Sequence, residues 1–382
     1  MKIKTLLKRT VVLSLVTALL AFGLTGCGNQ ESGTKDATSA TNETKAEVTT
    51  VSEGAKEDET EVETKDEAED TVDTSELKPF RVGCGDAQTN QLNDLAAVAQ
   101  RKGYLEEELN NVGFTLQVTG FQGQGPEINA ALMSGSLDAG NYAEFPALTS
   151  KASGADTTVV AISDPHLSYG ILTGSEDIKT LKDLEGKKII VQQGTVLQYV
   201  WEQVTDEAGV DKEKVEVINS NVADGISLIQ TGDADALLSS SNSLKNFENK
   251  GIGHLIEGFP DSAYSLTLFN FSNEFLKESP EVAVAVNKAL IRAYKDVVAD
   301  PQIFYDILGE KYGDGGAEII EATYTINSSL EYLNPEYDEE LKTGIRTIYD
   351  WMNAHSLLAS EVDLDTYFDS SYFQQATEEL GE

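Results

Sequence analysis

Basic residues, cysteine and histidine are all scarce in this chain, and each scarcity removes a class of explanation. Against 65 acidic residues stand 28 lysines and arginines, a net charge of −37. That balance excludes nucleic acid as a partner, because phosphate contacts need clustered Lys and Arg. The two cysteines, Cys27 and Cys84, are far apart, and only Cys84 falls in the part that can fold, so no internal disulfide forms there. Cys84 reads as a buried strand thiol or, alternatively, as a nucleophile with no histidine near it in sequence. Of the three histidines, His254 and His355 have no Cys or His at ligand spacing, and Asp233 with Asp235 is too sparse for a calcium loop, so no metal is expected. His166, after Asp164-Pro165, reads as a loop histidine capping local backbone or as a helper contact to a ligand. No P-loop, GxSxG or HExxH occurs, and no cofactor is implied.

Long apolar runs are also missing. The longest, Thr10 to Leu24, follows Lys2, Lys4, Lys8 and Arg9 and is too short for a stable span, so residues 1–26 read as a secretory signal. Its end, LTGC at residues 24–27, resembles the bacterial lipobox, which implies cleavage before Cys27 and its lipidation. Contact with a membrane would then be through the acyl anchor only. Residues 27–77 contain no aromatic residue, and 16 acids face 4 bases between Gly28 and Leu77. Such a stretch cannot bury enough apolar surface to offset chain entropy and is expected to be a disordered, self-repelling tether.

What remains, roughly 300 residues, is enough for one large or two ordinary domains with real cores. Pro79–Gly85 reads as a strand, Leu92–Leu109 as a helix and Phe114–Phe121 as a strand. The stretch FQGQGPEINAALMSGSLDAGNYAEFPAL, residues 121–148, then gives a Gly-rich turn at Gly123–Pro126, a helix ending near Ser134-Gly135, a strand Ser136–Gly140 and a loop Asn141–Glu144. Further strands are expected at Thr158–Ile162 and Tyr169–Thr173. The same order recurs with strand Lys187–Gln192, helix Val196–Ala208, strand Val215–Ile218, helix Val222–Thr231 and strand Ala234–Leu238. Strands alternating with helices call for an α/β fold with parallel sheets, whose ligands sit at the carboxyl ends of the strands. Gly and Pro at a helix start leave outward N–H groups suited to an anion or a carbonyl, although these turns serve equally well as ordinary βα connections. Tyr264–Phe271 reads as a long strand. Ser279-Pro280-Glu281 then starts a helix striped by Val282, Val286, Leu290, Ala293 and Val297, and Tyr305, Tyr312, Tyr324, Tyr332, Tyr337, Tyr349 and Trp351 read as packing residues of further helices.

RKGYLEEEL (101–109), the 121–148 stretch, GADTTVVA (154–161), LKDLEGKKIIVQQGTVLQYV (181–200) and VADGISLIQTGDADALL (222–238) together resemble the nitrate/sulfonate/taurine-type substrate-binding proteins of ABC importers, a family that includes thiamine-precursor binders. The resemblance covers residues 80–299 and implies a type II periplasmic-binding-protein fold: two α/β lobes joined by two crossover strands, with the ligand held between them. It implies lobe I at 78–170 plus 265–382 and lobe II at 171–264. By position it implies substrate contacts from Gln88, Thr89, Asn90, Gln124, Asn141, Tyr142, Glu144, Gly194, Thr195, Gln198 and Ser240. It also implies as partners a small-molecule ligand and the permease and ATPase subunits of an ABC importer, for a monomer held outside the cytoplasm; the lack of disulfides and the long acidic tether fit a Gram-positive surface better than a periplasm. Where sulfonate binders carry Trp-x-Asp-Pro, this chain has Ser239-Ser240-Ser241-Asn242. Glu144, if in the cleft, would repel a sulfonate and favour a cationic or amine-bearing ligand such as a pyrimidine precursor; facing solvent or a lysine, it would do neither. The same fold serves pyrimidine synthases, whose Cys-rich motif is absent here, and a surface lipoprotein with a scaffolding role is a third reading.

Overall fold

The computed structural model describes residues 77–260, 264–327 and 330–381. The signal, Cys27 and the tether lie outside them. Two five-stranded sheets are present, each with two parallel βα connections and one strand that runs against its neighbours.

The first sheet has the order β2-β1-β3-β10-β4. It is built from β1 (Lys78–Cys84), β2 (Phe114–Gly120), β3 (Ala139–Ala143), β4 (Thr157–Leu167) and β10 (Ser265–Ser272). Strand β1 pairs in parallel with β2 and β3, whereas β10 runs antiparallel to β3 and β4. Both faces are covered, which is why Phe80, Val82, Cys84, Phe269 and Phe271 are all buried. Helices α1 (Asp94–Arg101) and α2 (Tyr104–Asn111) replace the single helix expected over 92–109. The break falls at Gly103, whose φ of 77° is left-handed and interrupts the helical ladder. Helices α3 (Gln124–Met133) and α4 (Glu144–Ala152) complete the first half.

The second sheet, in the order β7-β6-β8-β5-β9, contains β5 (Tyr169–Thr173), β6 (Lys188–Ile190), β7 (Glu216–Ile218), β8 (Ala236–Ser240) and β9 (His254–Leu255). Its helices are α5 (Val196–Glu207), α6 (Val222–Thr231) and α7 (Ser241–Asn249). Leu167 pairs with Ser265 in the first sheet and Tyr169 pairs with Ser240 in the second, so the first crossing is made across Ser168 alone. The crossing therefore comes two residues before the expected 170/171 boundary. The return runs from Leu255 to Ser265.

Two strands were expected too early. β3 extends to Ala143 because β10, more than a hundred residues away in sequence, pairs Thr267 with Ala143 and Phe269 with Asn141. β8 extends to Ser240 because β5 pairs with Ser239 and Ser240. The expected loop at Asn141–Glu144, and the residues Ser239-Ser240 beyond the expected end of β8, are thus strand ends running directly into helices.

The chain then adds α8 (Asn273–Glu278), α9 (Pro280–Ala299), α10 (Gln302–Gly309), α11 (Gly316–Asn327), α12 (Glu339–Ala354), α13 (Leu364–Tyr367) and α14 (Ser371–Leu380). Pro280 begins α9 at the position where its missing N–H costs nothing. Phe368 bridges to Val159, and the Asp369 N–H donates to the Val159 carbonyl at 2.9 Å, which occupies the outer edge of β4. Helix α12 ties the lobes together through Trp351, whose ring lies 6.0 Å from Phe145 of α4 and 5.4 Å from Tyr199 of α5. No helix among the described residues is long and apolar enough to cross a membrane.

Candidate functional site

The carboxyl ends of β1, β3 and β4 and the amino end of β10, which runs antiparallel to β3 and β4, carry a dense polar layer. After β1, the Asp86 carboxylate accepts the N–H groups of Gln88 at 2.9 Å and Thr89 at 3.0 Å and the Thr89 hydroxyl at 2.7 Å. Burial works to raise this carboxyl, but those hydrogen bonds and the charge of Lys311 leave it below its ordinary value. Asn90 accepts the Gly120 N–H at 2.8 Å. Gln88, Thr89 and Asn90 are exposed, and of the three only the Gln88 side chain is outside this local network. Asn141 is fully buried. Its amide oxygen accepts the Asn93 N–H at 2.7 Å and its amide nitrogen donates to Ser163 Oγ and the Leu268 carbonyl. Both ends of the Asn141 amide are therefore taken up inside lobe I. Strand alternation sends Tyr142 to the other face, where its hydroxyl donates to Asn129 at 2.6 Å and accepts from Asn270 at 2.8 Å.

The helix starts that sequence reading marked for an oxyanion are largely met by their own side chains. Gly123 N–H donates to the Glu127 carboxylate at 2.9 Å, so an anion already sits at the start of α3, while Gln124 is exposed beside it. Gly194 N–H donates to Gln198 Oε1 at 2.9 Å. Thr195 Oγ1 accepts the Leu197 N–H and donates to the Gln192 carbonyl. Ser240 donates to Ser243 at 3.0 Å. Gln198 also lines a cavity of about 190 Å³ in lobe II beside Gln193, Trp201, Glu202 and Lys212.

Glu144, at the first position of α4, is neither solvent-facing nor paired with a lysine: it is fully buried. Its Oε2 accepts the Ser265 hydroxyl at 2.6 Å and the Leu266 N–H at 3.1 Å, while Oε1 has no hydrogen-bond partner among the described residues. Burial, against those hydrogen bonds, pushes the carboxyl up to about 7. Burial, then the Glu144 charge, pushes the Tyr169 phenol upward and keeps it protonated, against Ser265, which works to lower it. Tyr199 is pushed up to about 12 by burial, with Tyr264 and Glu144 adding to the effect.

A second acidic group, whose charge also acts on Tyr169, was not singled out from the sequence. Asp164, fully buried, accepts the His166 N–H at 2.8 Å and the Tyr324 hydroxyl at 2.9 Å. Burial and the neighbouring Asp94 carboxylate hold Asp164 well above the usual range. Burial also raises Asp94, against the charge of Lys311 and a hydrogen bond from Thr267. His166 closes β4 instead of lying in a loop, its ring stacked between Tyr264 at 4.5 Å and Tyr332 at 4.9 Å. The sequence signal for this group was the Ser163-Asp164-Pro165-His166 run, read there only for its histidine. Cys84 is buried at the end of β1, and burial pushes its thiol up to about 11.

The polar layer, the two strand crossings and the sheet orders can be set against known proteins. A protein of Escherichia coli K12, provisionally named for binding aliphatic sulfonates, is 29% identical over 114 residues, which are 29% of this chain and 36% of that protein. The chain thus aligns with little more than a third of that relative's length. A crystal structure from Methylobacillus flagellatus, provisionally described as the periplasmic sulfonate-binding protein of a sulfonate ABC transporter, superposes with a TM-score of 0.68 at 21% identity, covering 80% of this chain and 96% of that one. The desulfurization enzyme DszB superposes with a TM-score of 0.59 at 13% identity, covering 79% and 100%. These superpositions establish the type II periplasmic-binding-protein fold, two α/β lobes joined by two crossover strands. The family described as NMT1/THI5 like matches residues 95–303, more than half of the sequence. The chain belongs to the NMT1/THI5-like family.

Proposed function

We propose that this chain is the extracytoplasmic solute-binding lipoprotein of an ABC importer, which captures a small polar organic molecule between its lobes and delivers it to a membrane permease and its ATPase. The observation that carries the reading is the pair of crossings at Ser168 and between Leu255 and Ser265, which join two sheets whose strand ends bring polar side chains to the junction of the lobes. A ligand touching both lobes gains its full set of contacts only when they are together, and that difference in affinity drives closure. Relatives named for sulfonates support the class, and the family's range admits a sulfonate- or taurine-like molecule or a pyrimidine-precursor-like one. Cys27 is the lipid attachment, residues 27–77 the tether, and the protein works as a monomer on the outer face of the cell membrane, more in keeping with a Gram-positive surface than a periplasm. Of the implied set, Gln88 and Gln124 of lobe I have exposed side chains outside the local hydrogen bonds and would supply polar contacts to a ligand.

The shared fold of DszB raises an enzymatic reading, and Cys84 speaks against one that uses its thiolate. A buried thiol pushed up to about 11 is almost wholly protonated at neutral pH. The test is mass spectrometry of small molecules released when the purified full chain is denatured, followed by their return to stripped protein. A polar organic molecule should be recovered, raise the melting midpoint and shrink the radius of gyration in small-angle scattering. Neither stabilisation nor compaction with any recovered or screened solute would sink the proposal.

A further inference from the structure

Among the described residues, the buried side-chain atoms without a hydrogen-bond partner include a single carboxylate oxygen, Glu144 Oε1. Leaving such an atom buried is costly, and the usual remedy is a positive charge. None of the groups that bear on Glu144 is basic: they are Ser265, Leu266 and the backbone at its own helix start. The Glu144 position reaches the other side of the hinge: the ring of the next residue, Phe145, lies 6.2 Å from that of Tyr199 of α5, and its partner Ser265 pairs with Leu167 beside the crossing. Glu144 bears on Tyr169 of β5, Tyr199 of α5 and Tyr264 on the return crossing. The charges of two more carboxylates, Asp164 and Asp94, also act on that tyrosine. The one basic side chain bearing on this group is Lys311, which acts on Asp94.

A buried carboxylate oxygen without a partner, with three phenols near enough to feel its charge, is the chemistry that suits an organic cation: the carboxylate supplies charge and aromatic rings supply cation–π attraction. A sulfonate would find like charge on lobe I and, at the start of α3, a position already held by Glu127. We propose that the solute carried between the lobes bears a cationic nitrogen, held by Glu144 of lobe I against the rings of Tyr169 and Tyr199 of lobe II and Tyr264 of the crossing. This rests on the solute-binding reading above and narrows its substrate to ammonium-type compounds. Because the carboxylate and two of the rings belong to different lobes, the same contact favours the closed form.

The test titrates the full chain with choline and, separately, with ethanesulfonate, following the melting midpoint and tyrosine and tryptophan fluorescence. Choline should raise the midpoint and ethanesulfonate should not. Glu144→Gln, which keeps an acceptor for Ser265 and Leu266, should weaken choline binding at least tenfold. In case that variant folds poorly, calorimetry of the unaltered protein at pH 6 in two buffers of different ionisation enthalpy gives a second reading. Choline should release a proton there, since the cation favours the ionised carboxylate. Stabilisation by ethanesulfonate alone, undiminished choline binding in Glu144→Gln, or no response to either probe overturns the proposal. Recovery of an anionic or neutral solute by mass spectrometry would also overturn it while leaving the solute-binding reading intact.

Discussion

Asn93 and Asn141 hold each other by two hydrogen bonds: the Asn93 N–H donates to Asn141 Oδ1 at 2.7 Å, and Asn93 Nδ2 donates to the Asn141 carbonyl at 2.9 Å. The pair joins the start of α1 to β3, and the second amide end of Asn141 reaches β4 and β10. Asn141→Ala would strand the Asn93 N–H in a buried layer. A loss of about 2–3 kcal/mol is expected in urea unfolding of the full chain. A loss within experimental error would show that this layer is not what holds the strand ends.

Glu144 makes stability depend on pH, and the sign follows from its raised value. The folded carboxyl titrates near 7 and the unfolded one near 4.5, so between these values the folded state binds the extra proton. The contribution is fully present below 4.5 and is lost as pH rises through 7. The span corresponds to about 3 kcal/mol as an order of magnitude. Denaturation midpoints should fall across this window in the unaltered chain and fall less in Glu144→Gln. Equal slopes in the two proteins would contradict the assignment.

Cys84 should be inert. With the thiol pushed up to about 11 and no surface exposure, its reaction with a soluble disulfide reagent at pH 8 should proceed only as fast as the protein opens. Full labelling within seconds, with secondary structure unchanged, would place the thiol in a reactive setting instead.

Trp351 is the contact through which α12 bridges the lobes. It packs against Phe145 and Tyr199, and its Nε1–H donates to Glu202 at 2.9 Å. Trp351→Ala should cost about 3–5 kcal/mol. Trp351→Phe keeps most of the ring contacts while removing the hydrogen bond and part of the indole, so a smaller loss of about 1–2 kcal/mol is expected. If both substitutions cost the same, packing across the lobes is not what Trp351 supplies.

Much of this protein could be read from local pattern. The alternation of strands and helices, the capped start of α9 at Pro280 and the span Val222–Thr231 of α6 follow from periodicity and caps, which act over a few residues. The sequence by itself also determined the excess of acid and the isolation of Cys84. Only the tertiary structure decided where β3 and β8 end. Their last residues are held by strands that run antiparallel, one of them more than a hundred residues away, so no local pattern marks them. The same pairing turned Asn141 and Tyr142 from loop residues into strand residues with fully engaged side chains. It also brought Ser265 to Glu144, and placed Asp164 and Asp94 near one tyrosine. Burial and charge depend on which distant segments meet, and in this fold those meetings occur where the chain crosses between its two sheets.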